Sequence, residues 1–280
     1  MQKVTNPDSG PHRRDGESYR LTQTEIDRYH EDGYLVLEGV LTEVEMATID
    51  PWFDHFVAGQ EAERMGRDFC DMSQPYGTPL EKFQLVNAML PSTYRPELAN
   101  NIYHRIAQSI ADQLYAGEAA MDYEQFLAKR PNQAKAEFAM HQDLGYWPKT
   151  ENTWTATFSL ALSDSALENG CLQVVPGTNK EPELRSHRPK DHGDGASRDD
   201  SHTLVIESKP SDQVVYLPVK RGSITVHDER IVHGSGGNTS PDWRKTYVAA
   251  FRDVNTIRQE RAMGFTHSHN DTVNWEEIVH

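Results

Sequence analysis

Two hydrophobic periods divide the chain, a helical one in its first part and a period of two from about residue 134. "LTQTEIDRYHEDGYLVL" opens with a capping box, Thr22 and Glu25, and Gly33 predicts the helix stop before an apolar strand over 34–37. "LTEVEMATIDPWF" repeats the device with Thr42 and Glu45. Ile102, Ile106, Ile110 and Leu114 stand four apart ahead of Gly117, an amphipathic helix suited to packing on a sheet. Further on, "AKAEFAMHQD" puts Lys135, Glu137, Ala139, His141 and Asp143 on one strand face and Ala136, Phe138 and Met140 on the other. "TWTATFSLAL" opposes Thr155, Thr157 and Ser159 to Ala156, Phe158 and Leu160. "GSITVHD" sets Thr225 and His227 against Ile224 and Val226.

Short strands broken by "ENG", "PGT" and "GSGGN" predict a jelly roll or closed double sheet whose polar inner face lines a cavity. Residues 1–19 hold few large apolar side chains and are expected to be a flexible tail, with one domain over 20–280. The polar, glycine-containing stretch 185–203 is long for an internal connection and reads as a lid or a solvated excursion. Its histidines His187, His192 and His202 match no standard metal spacing.

Composition removes several classes of function. No apolar run among the 280 residues approaches the roughly 18 that a membrane helix needs. "MQKVTNPDSG" lacks the apolar core of a signal peptide and "EEIVH" is no address, so the expected location is the cytoplasm. Cys70 and Cys171, the only cysteines, support neither a disulfide framework nor a thiolate zinc site. A formal charge of -15 repels phosphate backbones and anionic lipids, leaving a small molecule as the expected partner and neither nucleic acid nor a membrane.

Residues i and i+2 of a strand lie roughly 6 to 7 Å apart on one face, so His141 and Asp143 can converge on one ion. Imidazole and carboxylate together suit a divalent metal of intermediate hardness, and His227 and His233 downstream are both candidates for a third ligand. Two histidines and a carboxylate form the facial triad of non-haem Fe(II) oxygenases. H-x-D by itself is common and can equally be structural.

Several ordered motifs narrow this choice. "HQDLGYWP", "ENGCLQVVPGTNK" and "VHGSGG" followed by "WRKTYVAAFR" resemble the phytanoyl-CoA dioxygenase-like family of Fe(II)/2-oxoglutarate oxygenases, and "LTQTEIDRYHEDGYLVLEGVL" resembles its usual opening. The resemblance covers about residues 21 to 255. It implies a mainly β fold with flanking helices around a double-stranded β-helix, a cupin-like jelly roll. It also implies His141, Asp143 and His233 as ligands of catalytic Fe(II), and Arg244, eleven residues past His233, as the anchor of the distal 2-oxoglutarate carboxylate. Ser235 would help hold that carboxylate. The implied reaction consumes O2 and 2-oxoglutarate, releases succinate and CO2, and hydroxylates an unactivated carbon of a small metabolite. A carboxylate at position 143 disfavours halogenation.

The residues themselves accommodate these assignments. Arg244, Thr246, Val248 and Ala250 share a strand face, and an inward guanidinium grips a carboxylate bidentately. Lys135 is a second candidate for binding the co-substrate, or else pairs with Glu137. His227 is then a neighbour of the ligands or a core group, and Tyr146, Trp147 and Trp154 are candidates to stack on a substrate, with core packing the alternative for Trp154. Two other classes stay open: a non-catalytic metabolite-binding jelly roll, and a serine hydrolase suggested by "HGSGG", although a nucleophile elbow needs glycine where His233 stands.

Overall fold

A computed structural model describes residues 9–189 and 203–271. The capping boxes form as the sequence predicts: Thr22 and Glu25 open the helix Gln23–Asp32, and Thr42 and Glu45 open Glu43–Val57. Gly33 ends the first helix at a φ of 84°, a left-handed conformation that costs a residue without Cβ little. The third long helix is Ile102–Leu114, with Ile106, Ile110 and Leu114 on its buried face. A fourth, Val254–Ala262, follows the last strand.

In chain order the strands begin with β1 (Arg14–Asp15), β2 (Ser18–Tyr19), β3 (Tyr34–Leu37), β4 (Phe69–Asp71) and β5 (Leu85–Met89). Next come β6 (Ala119–Lys129), β7 (Phe138–His141), β8 (Thr155–Ala161), β9 (Leu172–Val175) and β10 (His187–Pro189). The last are β11 (Leu204–Ile206), β12 (Val215–Leu217), β13 (Ile224–Asp228), β14 (Val232–Ser235) and β15 (Arg244–Asp253). Seven of them form a sheet in the order β3-β13-β8-β15-β6-β5-β4, and four form a second in the order β12-β9-β14-β7. The chain alternates between the two sheets from β7 to β9 and again from β13 to β15, which is the winding of a jelly roll.

The two faces of the large sheet have opposite chemistry, and that difference fixes where the site lies. Ala156, Phe158, Leu160, Ile224 and Val226 join Ile49, Phe53, Ile106 and Ile110 of the helices in the main hydrophobic core. The alternate positions Thr157, Ser159, His227, Arg244 and Thr246 point between the sheets into a cavity. Trp154 packs against the core and stacks on Tyr115, ring centroids 4.3 Å apart, so it takes its structural alternative.

Two expectations are corrected here. Residues 9–19 are packed: β1 pairs with β2, Tyr19 is buried, and Arg13 and Arg14 bind the capping-box carboxylates of Glu25 (2.6 Å) and Glu45 (2.9 Å). Ordering there comes from one tyrosine and two ion pairs, which a count of apolar residues misses. The period-two reading of 134–137 also fails, because Gln133 bridges to Asn238 and the backbone turns before Phe138. Residues 1–8 lie outside the described residues, as do 190–202 of the 185–203 loop with His192 and His202. The arms of that loop, β10 and β11, pair with each other. Cys70 and Cys171 are buried and free. Among the described residues no helix is long and apolar enough to cross a membrane.

Candidate active site

The cavity between the sheets has a volume of about 180 Å³. His141 of β7 and His233 of β14 are direct cross-strand partners, so their imidazoles emerge side by side with ring centroids 4.2 Å apart. The strands approach closely at Gly234, where a Cβ would stand 2.8 Å from the Phe138 carbonyl oxygen. β7 stops at His141, and Asp143 starts a 3-10 turn that folds its carboxylate back towards the two rings. Asp143 Oδ1 lies 3.5 Å from His141 Nε2 and 3.4 Å from His233 Nε2.

Hydrogen bonds decide which atoms face inward. A carbonyl only accepts, so His141 Nδ1 donates to Ala139 O (2.7 Å) and His233 Nδ1 donates to Ile231 O (3.0 Å). Both Nε2 lone pairs therefore meet the Asp143 oxygen, and the three acceptor atoms lie within 4.8 Å of one another. Acceptors facing acceptors repel unless a cation sits among them, and two imidazoles with one carboxylate fit iron(II). Burial and then the neighbouring His233 hold His141 below its ordinary pKa, which keeps it neutral. Burial pushes the Asp143 carboxyl up, but the neighbouring His233 and the polar contacts of His141 and His227 outweigh it and hold the group well below the usual range.

The outer oxygen of Asp143 is fixed separately. Oδ2 accepts from Thr157 Oγ1 (2.8 Å) and from His227 Nε2 (3.2 Å), and Thr157 and His227 are themselves cross-strand partners. His227 thus orients the carboxylate while its Nε2 is occupied.

Arg244 is buried at the start of β15 and lines the cavity, with no carboxylate paired to it and its Nε unpartnered among the described residues. Burial pushes its pKa down to about 10. A buried guanidinium in this condition calls for an external anion. Ser235 lines the same cavity, and its Oγ accepts from Lys129 Nζ (2.7 Å).

Lys135 does not reach the site, which corrects the expectation for it: the residue is exposed in the turn before β7 and off the strand face. The lysine that does approach is Lys129, buried at the end of β6 beside Arg244 and bonded to Ser235 and the Gly236 carbonyl. Its signal was present in the sequence, since Tyr123, Gln125 and Leu127 line the cavity two residues apart on the same strand. Tyr146 and Trp147 also line it. His187 instead accepts from the Gln142 backbone N–H (3.1 Å). The hydrolase alternative fails, because the sheets are antiparallel rather than doubly wound and Ser235 Oγ is tied to a lysine.

The far wall comes from parts of the chain that sequence reading left unassigned. Phe265, His267 and His269 of the segment after the last helix line the cavity together with Arg67 and Tyr76. That segment rests on Arg252, which is fully buried against Glu260, Asp122 (3.1 Å) and His267 (2.9 Å) and lies 4.2 Å over the Trp147 ring.

Comparison with known proteins agrees with this geometry. A family model described as phytanoyl-CoA dioxygenase matches residues 29–246. The chain is 24% identical to the peroxisomal phytanoyl-CoA dioxygenase of Bos taurus over 81% of its own length and 67% of that protein. It is 23% identical to the ectoine dioxygenase of Bordetella bronchiseptica over 81% of its length and 74% of the relative's. The crystal structure of EvdO2 from Micromonospora carbonacea var. aurantiaca, complexed with 2-oxoglutarate, superposes with a TM-score of 0.67 at 22% identity, covering 84% of this chain and 92% of that one.

Proposed function

The chain belongs to the phytanoyl-CoA dioxygenase family and is an oxygenase dependent on iron(II), 2-oxoglutarate and O2, and we propose that it hydroxylates a carbon of a small metabolite using His141, Asp143 and His233 as iron ligands and Arg244 as the co-substrate anchor. The observation that carries the assignment is the convergence of three acceptor atoms, two of them locked inward by carbonyls behind them.

Bound iron with 2-oxoglutarate supplies the activation of O2, one oxygen atom leaving in succinate as CO2 is released and the other entering the substrate C–H bond as hydroxyl. The protein's part is to position and to exclude. His141 and His233 present unprotonated Nε2 because Ala139 O and Ile231 O hold the proton on Nδ1. Thr157 and His227 hold the outer oxygen of Asp143 and so aim the inner one. Arg244 grips the distal carboxylate of 2-oxoglutarate, and Ser235, whose oxygen accepts from Lys129, has its hydroxyl hydrogen to donate to the same group. Met72, Leu127 and Val248 along the cavity keep bulk water from the reacting atoms.

The test is succinate release from the iron-loaded enzyme supplied with 2-oxoglutarate and O2, with candidate small molecules screened for stimulation. Turnover that needs iron and both co-substrates is expected. Ligand binding with no succinate under any condition would leave a non-catalytic binding protein.

A further inference from the structure

The charges that line the cavity identify the kind of molecule that fills its outer half. This step rests on iron and 2-oxoglutarate occupying the inner half. Among the groups that line it, the two positive charges of the metal and the one of Arg244 offset the two negative charges of the co-substrate and the one of Asp143, while Lys129 lies behind Ser235 and does not line the cavity. Farther out, the wall network is balanced in the same way, with Arg252 and Arg261 set against Asp122 and Glu260. One formally charged side chain lining the cavity is left over, Arg67. No carboxylate pairs with its guanidinium among the described residues, in a chain whose net charge of -15 otherwise repels anions.

Arg67 is exposed and lines the cavity at once, which puts it at the mouth. Its guanidinium lies 4.2 Å over the Tyr76 ring, and the Tyr76 hydroxyl bonds His269 Nδ1 (2.8 Å). The rim beneath is stitched together from both sides. The Arg67 backbone N–H donates to Asn270 Oδ1 (3.0 Å), while Ser268 Oγ and the His269 N–H donate to Asp68 at 2.7 and 2.6 Å. The cation thus stands on a fixed frame, and little ordering remains when an anion binds it. The lining also includes the aromatic and apolar side chains Tyr123, Trp147, Phe265 and Met72.

We propose that the substrate is an organic acid, a carboxylate or phosphate monoester on an apolar body, whose anion docks on Arg67 and His269 at the mouth while the body extends past Trp147 and Phe265 to the metal. A cationic substrate is disfavoured by the same geometry, because Arg67 already covers the Tyr76 face.

Equilibrium binding to the iron(II) enzyme, saturated with 2-oxoglutarate and kept without O2, tests this through the fluorescence of Trp147 and the other tryptophans. The probes are arylalkyl carboxylates and phosphate monoesters of graded length, each paired with its neutral amide or alcohol. The acids are expected to bind about tenfold more tightly than their neutral partners, the effect of one charge-assisted contact. Arg67→Gln should abolish the preference, Arg67→Lys should keep part of it, and added salt should shrink it in the wild type. Neutral partners binding as well as the acids, no acid binding at any length, or a preference that survives Arg67→Gln would each overturn the proposal. Formation of the visible iron–2-oxoglutarate complex in the wild type is read first, so that failure of the metal-site assignment shows there and not in the acid comparison.

Discussion

Arg244 is the residue whose environment is least explicable without a ligand. A guanidinium buried with no carboxylate is costly, and under the proposed assignment the distal carboxylate of 2-oxoglutarate would recover that cost. Arg244→Ala should therefore weaken 2-oxoglutarate binding by at least about 2 kcal/mol, about thirtyfold, and lysine should restore it only in part because it lacks the planar fork. Titration calorimetry with the iron-loaded variants checks this; an unchanged dissociation constant would remove Arg244 as the anchor. Burial lowers the Arg244 pKa to about 10, so the cation persists at neutral pH and affinity should fall only as the pH rises through about that value. Arg244 was legible from its place eleven residues past His233 in the motif shared with the family, and the strand "RKTYVAAF" allows it an inward face. Lys135 was misplaced because alternation in "AKAE" is an accident of a turn. Arg67 and His269 could not be read at all, since they are about two hundred positions apart and meet, through Tyr76, only in the finished rim.

At the scale of elements, the pairing of β7 with β14 brings His141 and His233, the two proposed imidazole ligands, together, and Gly234 sets how closely the strands approach. A methyl group there would press on the Phe138 carbonyl and on Met140 Sδ at 2.9 Å. Gly234→Ala should cost about 1–3 kcal/mol of stability and loosen iron binding as His233 moves off His141. Thermal unfolding and metal titration of that variant measure the two effects. The segment carrying His267 and His269 depends in the same way on Arg252. Arg252→Ala leaves Glu260 fully buried without its cation and should cost about 3–5 kcal/mol in a denaturant titration. The capped helices and the strands β8, β13 and β15 could be read because local chemistry, a capping box or a one-sided polar face, specifies each. The ordering of residues 9–19 could not, because it depends on ion pairs to helices that begin later in the chain.

Among the described residues the seven-stranded sheet puts its apolar face under the helices, and it and the four-stranded sheet enclose a metal-sized cluster of acceptors. Its stability should carry the mark of one buried acid outside the triad. Burial raises Glu229 from 4.5 to about 7, against the lowering effect of Thr153, which donates to one of its oxygens at 2.6 Å. Because the folded-state pKa lies above the unfolded one, the folded form holds the proton more tightly, and stability is full below about 4.5 and lost as the pH rises through about 7. Glu229→Gln should flatten that decline, which amounts to about 3 kcal/mol in the wild type, and paired urea titrations of both proteins at pH 4.5 and pH 8 would measure it.

The central claim is that His141, Asp143 and His233 hold iron and that His227 only steers one of them. Anaerobic equilibrium dialysis of Fe(II) against the wild type and the four single alanine variants, each checked for native circular dichroism, tests it most directly. One equivalent of iron is expected in the wild type and none at matched concentration in His141→Ala, Asp143→Ala or His233→Ala. His227→Ala should still bind one equivalent, about 10- to 100-fold more weakly, as loss of an orienting hydrogen bond does. A folded His233→Ala protein that keeps its iron while His227→Ala loses it would contradict the assignment and give the third ligand position to His227.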